Sequence, residues 1–312
     1  MARIGFAFVP QTPTQAVDLI GRADRAGVGT VWTVMGAVGL DTLTLFAAAA
    51  ERTDRITFGT AIVPAFTRHP LGLVTQVVAL EGLAPGRLRL GIGTAHARTM
   101  VDVFHLDFAR PLARLREYVE ILRPTLQRGE AHVHGEYYQA DVVIPNAPGT
   151  PVLVSALRAP AYELAGKLTD GAISWLCPPA YLHRVALPAL AAGAAEAGRE
   201  RPPLVAHVPV ALSADRAAVY AAAKEQLAGY ASAPFYARMF ADAGHPLEAD
   251  GRIADGLLDA LLVHGAPDEI ARGLRQRLAG GLDEIMVSLL PMANRALEED
   301  ALLELLAELG RD

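Results

Sequence analysis

Gly91 and Gly93, in the run Gly91-Ile92-Gly93-Thr94, fall where an apolar stretch ends, and their missing side chains would let a flat ligand lie against the main chain. Ser155-Ala156-Leu157-Arg158-Ala159-Pro160 leads into a helix-like segment. The free N–H groups of its first turn can hold a phosphate, with Arg158 adding positive charge. Either pattern alone is weak, since turns commonly need glycine and every helix has a start. Together they fit a protein whose chemistry belongs to a bound cofactor. His96, in a glycine-flanked loop, and His69, just before Pro70, are the candidate proton donors. Each also has a plainer reading, His69 as a residue held by backbone hydrogen bonds at a helix start.

Other chemistries lack their residues. No pair of carboxylates falls where strands end, which argues against glycosidase-type acid/base work. There is no recognisable Ser/His/acid arrangement and no His-Glu-x-x-His. His132 and His134 alternate so that a strand would present both to a metal, but no third ligand lies nearby, and no metal site is expected. Cys177, before two prolines, reads as inert.

The elements that must position these residues alternate from end to end. Residues 3–9, 30–34, 56–63, 87–92, 152–155, 171–176, 204–212 and 284–289 read as apolar strands, each followed by a helical pattern. Leu112, Leu115, Val119, Leu122 and Leu126 recur at gaps of 3, 4, 3 and 4, a core-facing stripe. Asp41 has the position of an N-cap. Residues 130–148 break the rhythm as a hairpin-like excursion, and 215–262 form a long helical region with a break near 244–251.

Near-continuous apolar strands with helical crossovers mean a parallel sheet covered by helices. Eight units predict an α/β fold of one domain over residues 1–312, a (β/α)8 TIM barrel with insertions after strands 4 and 7. The ligand then binds at the C-terminal strand ends. Met35, Gly36 and Ala37 follow strand two, and Trp175 ends strand six. The third strand is the most suggestive, because its run stops abruptly at Pro64 and a basic loop leads to a helix at Pro70.

The charge balance, 28 basic against 34 acidic residues without a basic run, gives nucleic-acid binding no support. Apolar stretches such as 43–50 are far short of the roughly 20 residues of a membrane span. One cysteine and an N-terminus without a charged n-region fit a cytoplasmic protein with no signal peptide.

Further runs carry a resemblance: Arg-Leu-Arg-Leu-Gly-Ile-Gly-Thr (87–94), Thr-Arg-His-Pro (67–70), Leu-Ala-Gly-Lys-Leu-Thr-Asp-Gly-Ala-Ile (164–173), Val-His-Gly-Ala-Pro-Asp-Glu-Ile-Ala-Arg-Gly-Leu (263–274) and Gly-Leu-Asp-Glu-Ile-Met-Val (281–287). In this order, over essentially the whole chain, they resemble the bacterial luciferase-like monooxygenase superfamily, above all its branch using coenzyme F-420, an 8-hydroxy-5-deazaflavin. Other members use reduced FMN. The resemblance implies an oxidoreductase moving a hydride between the deazaflavin and a small organic substrate, and a homodimer. Alternatives are an FMN-dependent monooxygenase, or a (deaza)flavin-binding protein with little turnover.

The same resemblance implies a bulge with a non-prolyl cis peptide at Ala61–Ile62 as the back wall for the ring. Gly93 and Thr94 would line the ring, and the turn from Ala156 to Ala159 would hold the tail phosphate. One departure stands out: relatives often carry an acidic residue and a histidine after the tryptophan of strand two. Here Trp32-Thr33-Val34 runs into Met35-Gly36, so the proton donor is unassigned. Residues 230–256, with Tyr230, Phe235, Tyr236 and Phe240, would lid the pocket, and their rings hint at an apolar or planar substrate.

Overall fold

A computed structural model describes residues 4–36 and 38–311, so Arg3 of the first expected strand and Ala37 of the second loop lie outside the described residues. Eight parallel strands form the barrel: β1 (Ile4–Phe8), β2 (Thr30–Thr33), β3 (Thr57–Thr60), β4 (Leu88–Gly93), β5 (Val152–Ser155), β6 (Gly171–Ser174), β7 (Leu204–Ala211) and β8 (Glu284–Leu289), and the two-residue strands Val63–Pro64 and Val263–His264 add to β4 and β7. Each of the eight pairs with the next, and β8 returns to β1 with Ile285 opposite Ile4. The barrel is closed, with helices outside. Its strands are buried on both faces, which is why they read as apolar runs rather than alternating ones.

Alternation along the strands sends Trp32, Leu153, Ile173, Val205 and Met286 into the barrel, where they cluster with Ala7 and Ala61. Toward the N-terminal end of the strands, Arg89 and Glu284 form a buried two-pronged ion pair at 2.7 and 2.8 Å. The Arg89 guanidinium also sits 4.8 Å from the centre of a Trp32 ring. The larger apolar core lies between strands and helices. Leu115, Val119, Leu122 and Leu126 of helix Pro111–Arg128 are buried in it.

The expected excursion is an antiparallel hairpin, Glu130–His134 with Gln139–Val143. The region after β7 is three helices, Arg216–Ala231, Pro234–Asp242 and Asp255–Leu261. The break near 244–251 is present. A second break, at Ser232 and Ala233, was not expected; Pro234 cannot donate to the preceding turn and instead starts a new helix. Among the described residues no helix is long and apolar enough to cross a membrane.

Candidate functional site at the barrel mouth

Strand β3 ends earlier than its apolar run. After Thr60 comes a cis peptide between Ala61 and Ile62, and only then does Val63–Pro64 pair again with β4, Val63 opposite Ile92. The interruption leaves Ala61 and Ile62 facing a cavity of about 660 Å3 at the C-terminal mouth of the barrel. Around it stand Met35 and Gly36 after β2, Thr94 and His96 after β4, Ser155 to Arg158 after β5, Trp175 after β6, and Tyr230, Phe235 and Tyr236 from the insertion after β7. The volume suits a small-molecule or cofactor site.

Two non-glycine residues at this wall have left-handed backbone: Ala95, φ 57°, which lines it between Thr94 and His96, and Leu176, φ 52°, buried directly after the lining residue Trp175. Such conformations are unfavourable for side chains with a Cβ and cluster where a site demands them. Here they turn the chain so that the flanking residues face the cavity.

Several predicted site residues meet in this wall: Ala61, Ile62, Thr94, His96, Ser155, Ala156 and Arg158 all line it. Gly91 and Gly93 are not among them. A Cβ on Gly91 would fall 2.0 Å from the Thr60 carbonyl oxygen and 2.5 Å from Ile173. One on Gly93 would fall 2.1 Å from Ser155 Oγ and 3.2 Å from Ile62. Their missing side chains make room for protein, and this lets Ile62 and Ser155 take their places in the wall. Ala159 starts helix Ala159–Leu168 just behind the lining, while Pro160 and Ala161 reach it.

His69 stands apart from the cavity. Its Nδ1 accepts a hydrogen bond from the Leu71 amide at 3.2 Å, capping helix Pro70–Leu83, and it does not line the cavity. His132 and His134 lie on the exposed hairpin, 3.1 and 3.4 Å from Asp141. Among the described residues no group of three His, Cys, Asp or Glu is arranged to hold a metal. Cys177 is buried beside the Tyr162 hydroxyl at 3.7 Å, and burial pushes its thiol up to about 12.

The electrostatics of the cavity are spare. Among its described lining residues there is no Asp, Glu or Lys. Its one guanidinium, Arg158, stands 3.7 Å from Asp242 of helix Pro234–Asp242. His96 opens into the cavity beside aromatic rings, and burial lowers its pKa from the ordinary 6.5. After β2, Met35 contributes a sulfur 3.9 Å from the Arg68 guanidinium, which Asp41 holds at 3.3 Å.

One feature escaped the sequence reading. Trp175 lies flat on His207 of β7, ring centroids 3.6 Å and planes 9° apart. His207 Nε2 is 2.8 Å from Ser288 Oγ, and Nδ1 is buried without a partner. The signal was there: a polar residue two positions after Val205, on the inward face of an apolar strand.

Burial pushes the His207 pKa down to about 3, whereas an unfolded chain's histidine protonates near 6.5. Between those values the unfolded state binds the extra proton. Stability therefore falls as pH drops below 6.5, by up to about 1.4 kcal/mol per pH unit. A histidine-selective NMR titration should find His207 neutral at pH 4 and His96 protonating below 6.5. A His207 signal titrating near 6.5 would refute the buried neutral ring.

A second depression of about 670 Å3 lies among helices, along Pro13–Ala26 and the start of Arg295–Leu309. Its Arg22 is already engaged by Glu299 and Asp300. It holds none of the residues picked out above.

With the barrel and its mouth in place, relatives can be compared. A sequence model of the luciferase-like monooxygenase family matches residues 4–284. The chain belongs to this family. It is 30% identical over 310 residues to an uncharacterized protein of Mycobacterium tuberculosis, covering 89% of this chain and 91% of the relative. It is 29% identical over 299 residues to an F-420-dependent glucose-6-phosphate dehydrogenase of Intrasporangium calvum, covering 88% of each. Among solved structures, the coenzyme F-420-dependent tetrahydromethanopterin reductase of Methanopyrus kandleri superposes with a TM-score of 0.80 at 21% identity, over 98% of this chain and 97% of that one. The FMN-bound oxygenating constituent of 3,6-diketocamphane monooxygenase from Pseudomonas putida superposes with a TM-score of 0.75 at 19% identity, over 99% and 97%. These two likenesses carry the barrel fold alone, while the chemistry rests on this chain's own residues.

Proposed function

We propose that the protein is an oxidoreductase that binds coenzyme F-420 in the mouth cavity, where a hydride passes between the deazaflavin and a small organic substrate. The observation that carries this reading is the make-up of the cavity wall. Ala61 and Ile62 offer a small apolar face for a flat ring. Two strands away, the hydroxyl of Ser155, the guanidinium of Arg158 and the start of helix Ala159–Leu168 converge where a phosphate would find donors. A wall of this kind fits a planar ring with an anionic tail, and the name of the Intrasporangium relative supports the deazaflavin over FMN.

The bound coenzyme would supply the hydride chemistry; the chain's residues position and shield it. Ala61, Ile62 and Met35 hold the ring and keep water away, because an apolar wall offers it no hydrogen bonds. Ser155 and Arg158 fix the tail and so the ring's register, and positioning is where such a site gains most of its rate. His96 is the residue placed to hold or give a proton at its imidazole. With its pKa lowered it is neutral at pH 7, able to donate from one nitrogen and accept at the other.

Calorimetric titration with coenzyme F-420 and with FMN, each oxidised and reduced, tests the reading. F-420 should bind more tightly, and Arg158→Ala should weaken it about tenfold, the value of one partly exposed charge-assisted hydrogen bond. Binding of FMN alone would overturn the deazaflavin assignment and favour an FMN-dependent monooxygenase. Tight F-420 binding without turnover across a broad substrate panel would favour a carrier of the coenzyme.

A further inference from the structure

Resting on the reading of this cavity as a deazaflavin site, the geometry points to an uncharged, planar aromatic molecule as the substrate, with one hydrogen-bonding group directed at His96. The insertion after β7 brings three rings over the mouth. The ring centroids of Phe235, Tyr230 and Tyr236 lie 5.5, 6.1 and 6.2 Å from that of His96. Trp175, held flat by His207, completes the wall. At these spacings the rings pack on one another, and together they give the cavity an aromatic side on which a flat apolar ring can lie.

Charge decides against other classes of substrate. The described lining has no lysine and no carboxylate, and its one guanidinium stands beside Asp242 at the end assigned to the coenzyme's phosphate. An anion entering among the rings would lose its water and find no counter-charge. A sugar phosphate would in addition leave several hydroxyls facing rings that cannot pair with them. The polar groups near the rings are the His96 imidazole, the hydroxyls of Thr94 and Thr99, and the phenols of Tyr230 and Tyr236, whose pKa values burial raises and which therefore stay neutral. They can recognise one hydroxyl or carbonyl on an otherwise apolar molecule.

The substrate class thus departs from that in the name of the Intrasporangium dehydrogenase, although the two chains are 29% identical over 88% of each. Calorimetric titration of the full chain with 2-naphthol, 2-naphthoate and glucose 6-phosphate, with and without coenzyme F-420, separates the cases. 2-Naphthol should bind at least tenfold more tightly than either anion. Phe235→Ala should weaken it three- to tenfold. Equal or tighter binding of 2-naphthoate or glucose 6-phosphate, no binding of 2-naphthol, or an unchanged 2-naphthol affinity in the variant would overturn the inference. Failure of the coenzyme to bind would instead overturn the cofactor reading, and the ranking of the three compounds on the coenzyme-free protein would still decide this one.

Discussion

Glu284→Gln should cost the fold about 3–5 kcal/mol, because it leaves the Arg89 guanidinium inside the barrel without its counter-charge. Both side chains are over nine-tenths buried, and both prongs of the pair are short. Arg89 packs over Trp32 and belongs to a strand paired on both sides, so it cannot swing out to water. The effect should appear in urea unfolding as a lower midpoint at unchanged slope. Replacing both partners, as Arg89→Met with Glu284→Leu, should restore much of the loss, since an apolar pair of similar volume avoids desolvating either charge. A single variant that lost less than about 1 kcal/mol would mean that water reaches the pair.

Gly91→Ala should be nearly as damaging, and its damage should reach the site. The new Cβ would meet a backbone oxygen, that of Thr60, at 2.0 Å, and no rotamer change can relieve a clash with main chain. The Thr60 hydroxyl is also tied to Gly91, accepting from its amide at 2.8 Å and donating to its carbonyl at 2.7 Å. Any relief must push β3 away from β4 immediately before Ala61 and Ile62. Overpacking of this kind costs about 1–3 kcal/mol, and more where backbone must move. Weaker thermal stability should therefore come with weaker F-420 binding. Gly72→Ala is the control: it adds its methyl in open space on helix Pro70–Leu83 and should stabilise the protein by roughly 0.5–1 kcal/mol. A Gly91→Ala protein with full stability and full coenzyme affinity would refute the packing argument.

Much of the architecture was legible because the relevant interactions are local or periodic. Asp41 caps helix Thr42–Ala50 through a bond from the Thr44 amide, as its position predicts. The strand Glu284–Leu289 has the expected bounds. Val119, Leu122 and Leu126 face the core, while Leu112 and Leu115, at the start of the helix, line the cavity. The stripe fixes a face of the helix but not what that face meets along its length. The break at Ala61–Ile62 was likewise readable, from an apolar run that ends at a proline and from the family resemblance.

Residue type alone left the places of the glycines and histidines undecided. Gly91 and Gly93 signal close approach, but a sequence cannot say whether the approaching group is a ligand or another strand; here it is Thr60, Ile173 and Ser155. His69 and His96 have equal standing in the sequence, yet one spends its nitrogen on a helix cap while the other opens into the cavity. His207, Ser288 and the Arg89–Glu284 pair join residues 81 and 195 positions apart. Pairings of that span depend on barrel closure, not on local pattern.

The sequence by itself determined the alternation of strand and helix, hence a parallel barrel with its mouth at the strand ends, because hydrophobic period and caps act within a few residues. Only the tertiary structure decided which side chains share that mouth and which charges are missing from it. That depends on the register in which eight strands close and on where the inserted helices set Tyr230, Phe235 and Tyr236, and contacts of that range leave no signature in neighbouring residues.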